Sequence, residues 1–307
     1  EGAFRKADRS EHYWKGDAFV TKLSPDGGRI VYSTLYGGGE ADEGTSIAID
    51  SEGRAVVAGI TFSDDLPTTG QTIRPKVCGG FGYDSFVAKL SQAGDRLVFG
   101  SYICGSGHDR ARALALGPDD SIYLAGETRS PDFPVTGTAA QKEPGGEWDG
   151  FVMKLWGWAH EIAWSTRLGG PRTERIGALA LLPDGRVAVG GEQWPEGGGL
   201  QDGFVSLVAE YGNEVLWTVH VGGAAQDTVT SLAFNGETLM AGGWTRSAEW
   251  LGQERPQGRG GGVIAQNARW GGVGGGGPPA APGALRQSVL VGRRPPLQAA
   301  HARPMTH

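Results

Sequence analysis

Asp17-Ala-Phe-Val-Thr-Lys-Leu23 leads into Tyr32-Ser-Thr-Leu-Tyr-Gly-Gly38 and then Asp42-Glu-Gly-Thr-Ser-Ile-Ala-Ile-Asp50. The opening of this stretch is written four times. Asp17-Ala-Phe-Val, Asp84-Ser-Phe-Val, Asp149-Gly-Phe-Val and Asp202-Gly-Phe-Val each begin a unit of about fifty residues. The register holds inside the units. Fifteen places after each opening Asp stand Tyr32, Phe99, Trp164 and Trp217; twenty-one after stand Gly38, Gly105, Gly170 and Gly223. Twenty-five after stand Asp42, Asp109, Glu174 and Asp227. Self-similarity at this period marks a repeat architecture.

Each unit reads as four short strands. Phe19-Val-Thr-Lys-Leu23 alternates apolar and polar residues, and Arg29 to Tyr36 is rich in β-branched and aromatic ones. Ser46 to Asp50 and Arg54 to Ala58 flank the turn residues Ser51-Glu-Gly53. No stretch carries a sustained helical period. The expected fold is all-β, a β-propeller of four-stranded blades with about four blades visible. Small Ser and Ala in 46–50, 113–116, 178–181 and 231–234 suit strands nearest the axis. That assignment places two outer strands at 19–23 and 29–36, full blades at 45–103, 112–168 and 177–221, and two inner strands at 229–234 and 238–243. The two half-blades are expected to pair and close a ring of four, which would remove exposed strand edges. The alternative is an arc of a larger ring, in keeping with a start at Glu1 rather than Met.

The strings Asp-Ala-Phe-Val-x-Lys-Leu, Tyr-Ser-Thr-x-x-Gly-Gly, Asp-Glu-Gly-Thr-x-Ile-Ala-x-Asp and Val-x-Gly-x-Thr-x-Ser-x-Asp-x-Pro together resemble the bacterial SBBP β-propeller repeat. The likeness spans roughly residues 17 to 250 and is sharpest in the first two copies. In the third, Trp156-Gly-Trp158 replaces the expected turn; in the fourth, Leu207 replaces the usual Lys. The resemblance implies a propeller of a secreted or surface-attached bacterial protein. It implies no catalytic residue.

Three segments follow: a linker or end of a preceding blade at 1–16, the repeats at 17–252, and a tail at 253–307. The tail holds Gly258-Arg-Gly-Gly-Gly262 and Gly274-Gly-Gly-Gly-Pro-Pro279, linker chemistry expected to stay disordered. Gly261 to Ala265 reads as a worn fifth opening. Glycine, at 54 of 307 residues, is more than twice its usual share. A formal net charge of −6 argues against nucleic acid as partner. No run of eighteen apolar residues exists, so no membrane span is expected. No signal peptide is visible, although a chain that starts inside a repeat could have lost one. Of the two cysteines, Cys78 lies between strands and Cys104 takes a place that is Gly in the other copies. They are either a disulfide or unrelated.

For a site, the sequence offers two sets. Asp42, Asp109, Glu174 and Asp227 lie just before the inner strands, in loops crossing to the axis. Four converging carboxylates would attract a basic group or a hard cation such as calcium, with no other cofactor expected. Alternatively each caps its own turn, the reading also expected for the opening Asp17, Asp84, Asp149 and Asp202. The long, dissimilar loops 62–83, 129–148 and 193–201 share that face and carry Phe81, Tyr83, Trp148 and Trp194, with Trp14 and Trp250 in equivalent flanks. Exposed aromatics there suit a protein or carbohydrate ligand; otherwise the loops cover blade edges. The six histidines show no HExxH spacing, and neither a Gly-x-Ser-x-Gly elbow nor a nucleotide fingerprint occurs. His108-Asp109-Arg110, beside Glu174 and Arg175, is the best candidate for polar chemistry. The expectation is a non-catalytic binding or scaffold module at or outside the bacterial envelope. A lyase or glycan hydrolase using axial carboxylates, and a structural spacer, are the alternatives.

Overall fold

The structure is a computed structural model that describes residue 4 and residues 16–74, 76–79, 82–195, 199–250, 253–254 and 268–269. It is an all-β propeller. Strands β1 (Ala18–Leu23) and β2 (Ile30–Tyr36) form a two-stranded sheet. The first full sheet is β3 (Asp42–Ile49), β4 (Ala55–Thr61), β5 (Asp84–Leu90) and β6 (Leu97–Ile103). The second is β7 (Asp109–Leu116), β8 (Ile122–Thr128), β9 (Asp149–Leu155) and β10 (Ile162–Leu168). The third is β11 (Glu174–Leu181), β12 (Val187–Gln193), β13 (Asp202–Val208) and β14 (Val215–Val221). β15 (Asp227–Phe234) and β16 (Thr238–Thr245) follow, and β17 (Glu249–Trp250) pairs with β18 (Gln253–Glu254). Two residues of β19 (Ala268–Arg269) lie against Thr238 and Leu239 of β16. The rest of the 253–307 tail, and Trp14 and Phe81, lie outside the described residues.

Neighbouring strands are antiparallel throughout, and the core lies between successive sheets. One cluster joins Val87 and Phe99 of the first sheet to Ile122, Phe151 and Met153 of the second. Another joins Tyr123 and Val152 of the second to Ile176, Val189 and Phe204 of the third. Middle strands therefore bury both faces: every residue of β5 and of β8 is buried. The repeated Phe shows what this is worth. Phe86, Phe151 and Phe204 are almost wholly covered, each contributing roughly 1.5–3 kcal/mol of burial, whereas Phe19 is 71% exposed.

Phe19 is exposed because the expected ring closure does not form. β1–β2 and β15–β16 belong to separate sheets and do not pair with each other. The half-blades pack on their sequence neighbours instead: Ala18, Val20 and Tyr36 against Val57 and Phe86, and Val229 and Leu239 against Ala188 and Leu207.

The inner strands start earlier than the sequence indicates. The repeated acid is not in a crossing loop but is the first residue of β3, β7, β11 or β15. Its own amide decides this. The N–H groups of Asp42, Asp109, Glu174 and Asp227 donate to the carbonyls of Gly16, Tyr83, Trp148 and Gln201, at 2.7–3.1 Å. Each acceptor immediately precedes an opening Asp, so the same staple joins one sheet to the next at every junction.

One further device recurs. All four inner strands carry a bulge, at Thr45, Arg112, Gly177 and Thr230. A bulge adds one unpaired residue and re-aims its side chain. Across from each stand Gly59, Gly126, Gly191 and Gly243, where a Cβ would run into the carbonyl of Glu43, Arg110, Arg175 or Thr228. Cys78 and Cys104 are disulfide-bonded, which ties the loop 62–83 to the end of β6.

Candidate functional site

The four bulged residues all line one axial cavity of about 480 Å³, together with Glu43, Arg175, Glu192, Thr228 and Trp244. The residues that face the axis are thus the neighbours of the repeated acids, not the acids themselves. In a strand, successive side chains point to opposite sides, and the acids point away into their turns. The Gly38 N–H and the Ser63 hydroxyl donate to Asp42 at 2.7 and 2.9 Å. Gly105 and Ser130 do the same for Asp109, at 2.8 and 2.7 Å. The Gly170 N–H donates to Glu174 and the Gly223 N–H to Asp227, both at 2.8 Å. Among the described residues no three His, Cys, Asp or Glu come together as metal ligands. The expected convergence of four carboxylates does not occur among them.

For Asp42, Asp109 and Glu174 burial outweighs these bonds. It raises Asp42, pushes Asp109 up to about 6 and Glu174 up to about 7. Asp109 and Glu174 move in the same direction, so they are not an acid and a base set apart by environment. The opening Asp84 and Asp149 are also buried caps. Asp84 accepts from the Cys78 N–H at 3.3 Å, and Asp149 from Gly145 and Gly146 at 3.1–3.2 Å.

Charge at the axis centres on Glu127, a buried residue of β8 that the sequence reading did not single out. One of its oxygens takes Arg112 at 2.9 Å and Arg110 at 3.3 Å; the other faces Arg175 of the next sheet at 3.3 Å. Arg175 also reaches Glu192 at 3.5 Å. Three guanidinium groups thus converge on one carboxylate. The underlying signal was present in the sequence. Inner-strand positions one past the repeated acid read Glu43, Arg110, Arg175 and Thr228, varying where the acid does not.

The aromatic residues join this cluster. Tyr83 stacks on His108 with ring centroids 4.6 Å apart, and His108 faces Trp148 at 6.1 Å. Phe62 lies tilted against Tyr83, with ring centroids 5.3 Å apart. The Arg110 guanidinium lies 4.1 Å from the Tyr83 ring centre, and Arg175 lies 5.0 Å from that of Trp194, cation–π distances. Trp148 and Trp194 line a cleft of about 460 Å³ with Glu147, Pro171, Arg172, Thr173 and Arg175. Of the expected site residues, His108, Arg110, Tyr83, Trp148 and Trp194 are brought together, and Asp42, Asp109, Glu174 and Asp227 serve as caps beneath them. Trp250 lies in β17, beyond β16.

No family model and no curated protein matches the chain. Solved structures do. The hydrazine synthase of Kuenenia stuttgartiensis is 9% identical over 82% of this chain and 57% of its own, with a TM-score of 0.46. The Dos1 propeller is 6% identical over 81% and 59%, with a TM-score of 0.39. The WD40 propeller domain of Doa1 is 12% identical over 79% and 93%, with a TM-score of 0.34. The chain spans less than two thirds of the first two. At these identities the likeness concerns the fold alone.

Proposed function

We propose that this propeller is a non-catalytic binding module, of the kind its resemblance to the SBBP repeat implies for secreted or surface-attached bacterial proteins. It recognises a protein or glycan on its loop face. One observation carries the reading: Tyr83, His108, Trp148 and Trp194 come from four different loop segments, yet they assemble with Arg110 and Arg175. Half-exposed aromatics backed by arginines on a rigid strand scaffold are the composition of a recognition surface. The spacer alternative gives no reason for this grouping. The enzyme alternative needs carboxylates free to exchange protons with a substrate, and the repeated acids are already engaged with backbone amides.

The test is an array of neutral and acidic glycans and of immobilised peptides, probed with the wild-type chain and with the Trp148→Ala/Trp194→Ala variant. Retention on some ligand class, lost in the variant at an unchanged melting temperature, is the expected result. No retention anywhere, or retention that survives both substitutions, overturns the proposal.

A further inference from the structure

Trp148 and Trp194, which both line the cleft, are tied to the same stretch of backbone. Trp148 makes a parallel bridge to Thr173, and the Trp194 N–H donates to the Thr173 carbonyl at 3.0 Å. Both tryptophan backbones are thus anchored to one residue, and both residues are only half-buried. The cleft volume falls within the range of about 300–1,000 Å³ for small-ligand sites. Flat apolar walls of this kind suit the C–H faces of a sugar ring better than a flexible chain.

The charges define the rest. Arg172 and Arg175 line the cleft, and Arg110 lies 6.0 Å from the Trp148 ring centre. Among the described residues lining the cleft, Arg172 and Arg175 stand against Glu147, an excess of one positive charge in a chain whose formal net charge is −6. The Nε atoms of Arg110 and Arg112 are buried without a hydrogen-bond partner among the described residues. Arg110 and Arg112 already hold one carboxylate oxygen of Glu127, and Arg175 faces the other at 3.3 Å. Planar guanidinium forks match planar carboxylates. A single excess charge suits one carboxylate per binding unit, not a polyphosphate.

We infer that this cleft takes a carboxylate-bearing sugar, a uronate unit of an acidic glycan, with its ring between Trp148 and Trp194 and its carboxylate toward Arg172 and Arg175. The inference rests on reading this face as the binding face, and it names the ligand class.

Calorimetric titration with trigalacturonate tests it, against a neutral galactose trimer and a short Asp/Glu peptide. The proteins are wild type, Arg172→Gln and Arg175→Gln. Arg172 is exposed, so its variant keeps the Glu127 network intact and remains informative if Arg175→Gln fails to fold. Trigalacturonate should bind at least about tenfold more tightly than the neutral trimer, and added salt should weaken it. Arg172→Gln should cost about tenfold, and Arg175→Gln should abolish binding. Equal binding of the neutral trimer, or binding of the peptide alone, overturns the uronate while the binding face stands. If trigalacturonate does not bind but the array retains another ligand at the two tryptophans, the uronate alone fails. If the array is also blank, both proposals fail.

Discussion

The outer strands of the second and third sheets are built from similar sequences and are finished differently. In β10 every residue from Trp164 to Leu168 is buried; in β14, Leu216, Thr218 and His220 are exposed. The cause is the loop between the second and third strands of each sheet. In the second sheet, 129–148 folds back along β10: Thr136 N–H donates to Ser165, Gln141 N–H to the Thr166 hydroxyl and Arg167 N–H to Gln141, at 3.0–3.1 Å. The first sheet does the same, with the Tyr102 N–H donating to Arg74 at 3.2 Å. In the third sheet, 193–201 is too short to reach. Loop length therefore decides whether an edge is sealed, and most of each long loop is spent on sealing. Among the described residues, the ends of these loops, Phe62 and Tyr83 in the first and Glu147 and Trp148 in the second, join the aromatic cluster and its cleft.

Arg167 and His220 occupy equivalent places and should separate the two regions most widely. Arg167 is 1% exposed, pairs with Asp149 at 3.4 Å, and donates to the Ser130, Pro131 and Lys142 carbonyls of the sealing loop. Arg167→Ala leaves Asp149 buried without its cation and should cost about 3–5 kcal/mol in urea unfolding. His220→Ala should stay within about 0.5 kcal/mol. Equal effects would break the comparison.

The disulfide sharpens it next, since only the first sheet's loop is tied covalently. Cys78→Ser/Cys104→Ser should cost about 2–4 kcal/mol. Hydrogen exchange should speed up at Gly100 to Tyr102 and stay unchanged at Ser165 to Arg167. If both edges loosen together, the loops seal as one unit and not sheet by sheet.

The smallest effect concerns pH. Glu174 and Asp109 hold a proton more tightly folded than unfolded. Between the ordinary carboxyl range and their raised values, the folded chain binds more protons, so stability falls as pH rises. The loss is complete above about 7 for Glu174 and above about 6 for Asp109. The melting temperature should thus be a few degrees higher at pH 5 than at pH 8. Glu174→Gln should flatten the curve up to about pH 7, and Asp109→Asn only up to about pH 6. A curve that rises with pH, or is unmoved by either substitution, would remove burial as the cause.

The strands, their grouping in fours and the places of the long loops were legible because alternation and turn residues are local signals. The inner-strand starts were not. An Asp at a strand's first position looks like a loop residue until its amide meets a carbonyl about twenty-five residues earlier. Ring closure was not legible either, since pairing of half-blades depends on the angle between sheets. At the proposed site, His108, Arg110, Tyr83, Trp148 and Trp194 were singled out from loop position and chemistry. Glu127, Arg112 and Arg175 were not assigned together, because a β-bulge and a cross-strand partner bring them together, and the glycine repeated across from each bulge does not say which charges meet there. Asp42, Asp109, Glu174 and Asp227 drew attention for being repeated, and repetition here reflects the scaffold.

The staple that joins the Trp148 carbonyl to the Glu174 amide is also a joint. Neighbouring blades meet there through this bond and the one from the Glu147 N–H to the Arg172 carbonyl at 3.1 Å, and a twist between them must open or close the gap above the pair. The cleft walls straddle that joint, with Trp148 leading into the second blade's third strand and Trp194 following the third blade's second strand. A molecule lodged between the two indoles is therefore a splint, and the stiffness it lends passes to the two blades it spans before it reaches any other.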